Sequence, residues 1–273
     1  MKRKTAVITG ATSGIGREFA YAYAAMGYRL VLTGRRIKRL EATSQELKVP
    51  CRIWPADLSD EKQCHDFMEK LEKTRVDVFI NNAGFGVCGR FTDTELSKET
   101  SLIDLNVRAM HILFKRMLQK MERQGSGTIL NVGSAAGLLP AGPHMAAYYA
   151  SKAYVVSLTQ AVARELKEEK SAVYVAVLCP GPVNTEFNAR ANVKFTMKGI
   201  SPQYCVREAL RGMRKHKTVI IPSPLVRAGT LGQKLLPTSV LIPMISAQQK
   251  RKVYRRGKNS AKNSLKSPKA GLA

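Results

Sequence analysis

Seven short β-branched runs alternate with stretches of helical spacing, and this rhythm constrains the chain more than any other feature. The runs are 5–9, 29–33, 51–56, 76–80, 128–132, 172–178 and 218–222, with helical spacing over 17–26, 36–47, 61–73, 98–124, 147–169 and 202–215. Strand, helix, strand in this order predicts an α/β fold, a doubly wound parallel sheet of about seven strands with helices on both faces. Gly27 is expected to end the first helix in the left-handed conformation, and Ser201-Pro202 to open the last with an N-cap and a first-turn proline. No linker interrupts these elements, so one domain over residues 1–222 is expected.

At 44% apolar residues the chain can build a sizeable core, which excludes wholesale disorder. The five cysteines (51, 64, 88, 179 and 205) contain no CxxC pair, which argues against a disulfide scaffold or a metal site and suits a reducing compartment. After Met1-Lys-Arg-Lys4 the apolar run reaches Gly10 too soon for a signal peptide, and a cytoplasmic location is the expectation. The net charge of +25 is uneven: from Ala209 onward there are 15 Lys/Arg and no acids. Residues 223–247 read as an apolar, proline-interrupted extension and 248–273 as a basic disordered tail. Apolar clusters beside Lys250-Arg-Lys252 suit peripheral contact with an anionic membrane, equally with a partly packed extension and a solvated tail. Nucleic acid is a weaker expectation, because Tyr254 is the one aromatic of the tail and no recognition module is present.

Thr9-Gly-Ala-Thr-Ser-Gly-Ile-Gly16 joins the first strand to the first helix. Gly10, Gly14 and Gly16 permit a sharp turn and close backbone approach, while the helix N-terminus offers unpaired N–H groups to a pyrophosphate. Thr12, Ser13 and Ile15 lie in the same loop. The spacing is GxxxGxG, and no GK[ST] follows, so a nucleoside-triphosphate loop is not indicated. A carboxylate after the second strand would select the 2′-hydroxyl of NAD. Here Arg35 and Arg36 occupy that corner, and two guanidiniums suit the 2′-phosphate of NADP(H). Asp57, followed by Leu58 at the end of the third strand, is placed either to contact the adenine or to cap the next helix. Asn81-Asn82-Ala83-Gly84 closes the fourth strand beside the same crevice.

Tyr148 and Lys152, four residues apart on a predicted helix, share one face, whereas Tyr149 has Ala153 at that spacing. An ammonium beside a phenol lowers its pKa towards the neutral range and makes it useful in proton transfer. Ser134 ends the fifth strand, where a hydroxyl can donate to a carbonyl oxygen. Asn106 is a polar residue at a core position of a long helix, which predicts a mid-helix kink holding a water.

Together the ordered set TGATSGIG (9–16), NNAG (81–84), Asn106, Ser134, YYASK (148–152) and Pro180-Gly181-Pro-Val-Asn-Thr185 resembles the short-chain dehydrogenase/reductase family over residues 3–222. The resemblance implies a Rossmann-type sheet and hydride transfer between a nicotinamide and a carbonyl or alcohol. It implies a catalytic tetrad of Asn106, Ser134, Tyr148 and Lys152, with Tyr148 as general acid and Asn106 holding a relay water. Asn82, Ala83, Pro180, Gly181, Val183 and Thr185 match positions around the nicotinamide, Gly84 is expected to line the same crevice, and Arg35 matches the mark of NADP-preferring members. It further implies a small-molecule carbonyl or alcohol substrate and a homodimer or homotetramer. Some similar reductases act on steroids or long acyl chains. His144, Met145 and Phe187 are candidate substrate contacts, and Phe195, Met197, Arg190 and Lys194 suggest an apolar substrate bearing an acid. The alternative is an NADPH-binding regulator without turnover.

Overall fold

A computed structural model describes residues 3–187, 199–233 and 236–250. Its elements, in chain order, are β1 (Thr5–Thr9), α1 (Gly14–Ala25), β2 (Arg29–Gly34), α2 (Ile37–Glu46), β3 (Cys51–Pro55), α3 (Glu61–Leu71), β4 (Val78–Asn81), α4 (Leu96–Ile103), α5 (Met110–Arg123), β5 (Gly127–Val132), α6 (Ala146–Glu168), β6 (Val173–Leu178), α7 (Pro202–Arg214), β7 (Val219–Ile220), α8 (Pro224–Gly232) and α9 (238–250). All ladders are parallel, in the order β3-β2-β1-β4-β5-β6-β7. The chain steps outward from β1 to β3, then returns to β1's other side with β4. That reversal leaves a crevice at the carboxyl ends of β1 and β4.

The strands read as continuous apolar runs because both faces are covered. On one face Val7, Val31, Phe79, Ile129 and Val175 pack against Phe67 of α3, Leu113 and Met117 of α5 and Val155 of α6. On the other, Ile8, Leu32, Ile80, Leu130 and Leu178 pack against Phe19 of α1, Leu40 of α2 and Val206 of α7. Consecutive residues such as Val7 and Ile8 thus serve opposite layers, as the two-residue period of a strand requires.

Local signals set the helix ends. Gly27 has φ +79° after α1, and Ser201 Oγ accepts from the Tyr204 N–H at the start of α7. Asp60, not Asp57, caps α3 by accepting from the Lys62 N–H at 2.9 Å. The single helix expected over 98–124 is divided: a π-helical turn, Asp104–Ala109, separates α4 from α5 and contains Asn106. The boundary expected at residue 247 falls inside α9, which continues to 250 with Gln249 buried. Residues 251–273, and with them most of the basic tail, lie outside the described residues. Pro224 and Pro237 start helices rather than interrupting them, whereas Pro243 lies within α9. No helix among the described residues is long and apolar enough to cross a membrane.

Candidate active site

The β1–α1 loop needs glycine for two distinct reasons. Gly10 and Gly14 have φ of +65° and +57°, a region that side chains strain to enter. At Gly16 the constraint is space, because a Cβ would strike Asn82 and the Gly10 carbonyl. Asn82 ties this loop to β4: its Nδ2 donates to the Thr9 carbonyl at 2.9 Å, and its backbone N–H to Thr9 Oγ1 at 2.8 Å. The N-terminus of α1 therefore points its unpaired N–H groups into the crevice, a cradle shaped for a pyrophosphate.

Two arginines stand at the end of β2. Arg35 lies 3.6 Å from Asp57, whose carboxylate also accepts from the Ser59 N–H and hydroxyl. These bonds and the guanidinium outweigh the opposing effect of partial burial and hold Asp57 below the usual carboxylate range. Arg36 turns inward, donating to Thr12 Oγ1 (3.1 Å) and Ser13 Oγ (3.0 Å) and pairing with Glu186 at 2.9 Å. Arg39 pairs with the same carboxylate. Arg35 and Arg36 therefore line the end of the crevice that the glycine loop opens.

Tyr148 and Lys152 lie on the first turns of α6, and both are buried. The Lys152 ammonium sits 6.0 Å from the centre of the Tyr148 ring and donates to the Val132 carbonyl at 2.9 Å. Burial pushes Lys152 down to about 8. Burial likewise pushes the Tyr148 phenol up to about 12, against the lowering effect of a hydrogen bond with Ser134. The expected lowering of the phenol by its neighbouring ammonium is thus reversed in the protein alone. Removal from water dominates both shifts. Ser134 lies two residues beyond β5 and caps the turn that follows, its Oγ accepting from the Ala136 N–H at 3.1 Å.

Asn106 is 1% exposed and holds the segment after β4. Its Oδ1 accepts from the Phe85 N–H (3.0 Å), and its Nδ2 donates to the Phe85 carbonyl (2.8 Å) and Ser151 Oγ (3.2 Å). A Cβ placed on Gly84 would lie 2.9 Å from Asn106 Oδ1 and 3.4 Å from Lys152 Nζ. Glycine at 84 therefore leaves a gap between an acceptor and a cation.

One cavity of about 950 Å³ connects these groups. One end is lined by Gly10, Thr12, Ser13, Gly14 and Ile15, with Arg35, Arg36, Asp57 and Leu58 beyond them. Asn82, Ala83, Gly84, Ser134, Tyr148 and Lys152 lie in its middle, joined by Pro180, Gly181, Val183 and Thr185. Met145 and Phe187 line the apolar end, and the Phe187 ring is 5.6 Å from that of Tyr148. Three anticipated residues do not line it. Gly16 packs under the loop, Asn106 acts from behind Phe85, and His144 is held in a turn with φ +64° while its carbonyl accepts from the Gly89 N–H. Arg190, Lys194, Phe195 and Met197 lie outside the described residues. Unanticipated lining residues include Phe85, Leu139, Tyr149, Leu241, Ile245 and Gln249.

A glycine-lined crevice at a sheet reversal beside a buried tyrosine–lysine pair defines a dinucleotide-binding oxidoreductase. The short chain dehydrogenase family pattern matches residues 4–194, and the chain belongs to that family. Sulfoacetaldehyde reductase of Chromohalobacter salexigens is 40% identical over 187 residues, spanning 66% of this chain and 72% of that protein. The solved short-chain dehydrogenase of Sphingobium yanoikuyae in complex with NADPH superposes with a TM-score of 0.76 at 28% identity, covering 99% of this chain and 98% of that one. A short-chain dehydrogenase/reductase of Burkholderia phymatum in complex with NAD also gives a TM-score of 0.76, at 25% identity, covering 84% of this chain and 92% of the other. The protein is thus an oxidoreductase of the alcohol/carbonyl type with a nicotinamide cofactor.

Proposed function

We propose that this oxidoreductase is an NADPH-dependent carbonyl reductase acting on an apolar ketone or aldehyde. The observation that carries the reading is one continuous cleft with the arginine corner at one end, Ser134, Tyr148 and Lys152 at its centre, and apolar side chains at the other. The nicotinamide, when bound, supplies the hydride. The glycine loop, Arg35 and Arg36 would hold the cofactor's phosphates, and Asn82, Gly181, Val183 and Thr185 would border its nicotinamide ring. Ser134 donates a hydrogen bond to the carbonyl oxygen. Tyr148 gives that oxygen its proton, and a phenol with a pKa near 12 in the resting protein is in the protonated form that reduction requires. Lys152 stabilises the phenolate left behind. The gap at Gly84, between Asn106 Oδ1 and Lys152 Nζ, suits the water that returns a proton. Asn106 is in this scheme a positioning residue.

Purified protein should consume NADPH with apolar ketones. Tyr148→Phe should lower kcat by about 100-fold or more while NADPH binding, followed by protein fluorescence, stays within a few-fold. NADPH binding without turnover of any ketone would establish instead a regulator that does no chemistry. In the same reading the subunits pair through α4–α5 and α6, and the exposed Leu225, Leu231 and Met244 contact an anionic membrane surface.

A further inference from the structure

The apolar end of the cleft contains a polar pair that the proposed reduction leaves unused. α9 buries Leu241, Ile245 and Gln249, four residues apart, so one helical stripe faces the cavity. Leu241 and Ile245 join a cluster with Met145, Tyr148 and Tyr149. The third member of the stripe is a glutamine 1% exposed. Its Nε2 donates to the Tyr149 hydroxyl, and its Oε1 has no hydrogen-bond partner. Tyr149 accepts in that bond, so its own proton remains available to donate. If the amide is turned the other way, Tyr149 donates to Oε1 and an N–H is left over. In either orientation a buried polar atom awaits a partner, and such an atom is costly unless something completes it.

We propose that Tyr149 and Gln249 form a recognition subsite for a hydroxyl group on an otherwise apolar ketone, remote from the carbonyl beside Tyr148. This rests on the reading of the cleft as a carbonyl reductase. A hydroxyl accepts and donates at once, so it completes the pair in either amide orientation: it takes the Tyr149 proton and gives its own to Gln249 Oε1, or takes the Gln249 N–H and gives its own to the Tyr149 oxygen. A carbonyl, an ether or a carboxylate only accepts and cannot do both. Among the described residues the cavity's cations are Arg35 and Arg36 at the far end and Lys152 at its centre. The subsite therefore favours a neutral substrate over the acid-bearing one that the sequence suggests. The two tyrosine rings are 6.4 Å apart at 75°, and Gly142 packs on the Tyr149 ring where no side chain fits, so the pair is held in a fixed relation to Tyr148.

Phenylcyclohexanone and its para-hydroxyphenyl counterpart provide a matched test. Calorimetry on the full chain with NADP⁺, and kinetics with NADPH, should favour the hydroxylated ketone about 10-fold or more in Kd and kcat/KM. Gln249→Leu and Tyr149→Phe should each erase that preference while changing the unsubstituted ketone by less than about 2-fold. Equal affinity of the wild type for both ketones, or no binding of either, overturns the subsite. So does a pair of variants that weakens both ketones alike and merely lowers the melting temperature, the signature of a residue that only anchors α9. Binding with the expected ratio but no turnover would retain the subsite and refute the reductase reading; turnover without preference would do the reverse.

Discussion

Lys152 brings an ammonium into the core and finds the Val132 carbonyl there, and burial holds its pKa at about 8, below the ordinary 10.5 of a lysine. Between those values the unfolded chain binds more protons at this site than the native protein, so its contribution to stability rises with pH from about 8 to 10.5. Tyr148 acts oppositely: raised from 10 to about 12, it makes stability fall with pH across that higher interval. Denaturant melts at pH 7.5, 8.5 and 9.5 should show the wild type gaining stability relative to Lys152→Met as pH increases. Parallel curves would place the lysine's proton affinity close to that of a solvated amine. At the arginine corner, Arg36→Ala should raise the KM for NADPH about 10-fold or more while leaving NADH much less affected, since a charge-assisted phosphate contact is lost. Equal losses for both cofactors would mean that Arg36 only braces Thr12 and Ser13.

Among the elements, the π-helical turn shows how one residue shapes a site. Asn106→Leu leaves the Phe85 N–H and carbonyl without their buried partners, a cost of about 2 kcal/mol or more, and thermal melts should show it. If activity falls and stability does not, the asparagine serves the reaction without organising the loop. The strands were readable because burial on both faces leaves uninterrupted Val, Ile and Leu. The glycine loop was readable because it needs both positive φ and empty space. The π turn does not disturb apolar spacing enough to be seen, and Asn106, an amide at a core position, was its sole trace. Prolines 224 and 237 looked like interruptions, although a proline at the first position of a helix, like Pro224, or immediately before it, like Pro237, loses nothing by lacking an N–H. Tyr149 was set aside because helical spacing pairs it with Ala153. Its actual partner, Gln249, is 100 residues away, a proximity that only tertiary packing creates.

At the scale of the whole molecule, the cleft is assembled from both ends of the chain. The first strand and its loop border the glycine-lined end, while α8 and α9 close the apolar end. Removing residues 223–273 should therefore leave NADPH affinity within a few-fold but lower kcat/KM for apolar ketones about 10-fold or more, because Leu241 and Ile245 no longer exclude water there. Unchanged kinetics would show that the extension is dispensable for substrate. The exposed apolar side chains of the same segment, Leu225 at 70% and Leu231 at 61% exposure, lie on the helix that carries Arg227. Co-sedimentation of the full chain with phosphatidylserine vesicles, lost on the same truncation or at high salt, checks the membrane contact.

Glu186 sits between Arg36 and Arg39, just beyond the Thr185 that borders the cavity. On the proposed reading a dinucleotide phosphate competes with this carboxylate for the Arg36 guanidinium, and Phe187, at the ketone end, is its immediate chain neighbour. Nucleotide arrival would thus trade one anion for another and unfasten the clasp next to the ketone's wall. The kinetic consequence is compulsory order: cofactor enters first and leaves last, which product-inhibition patterns would display as competition between the two nucleotide forms alone.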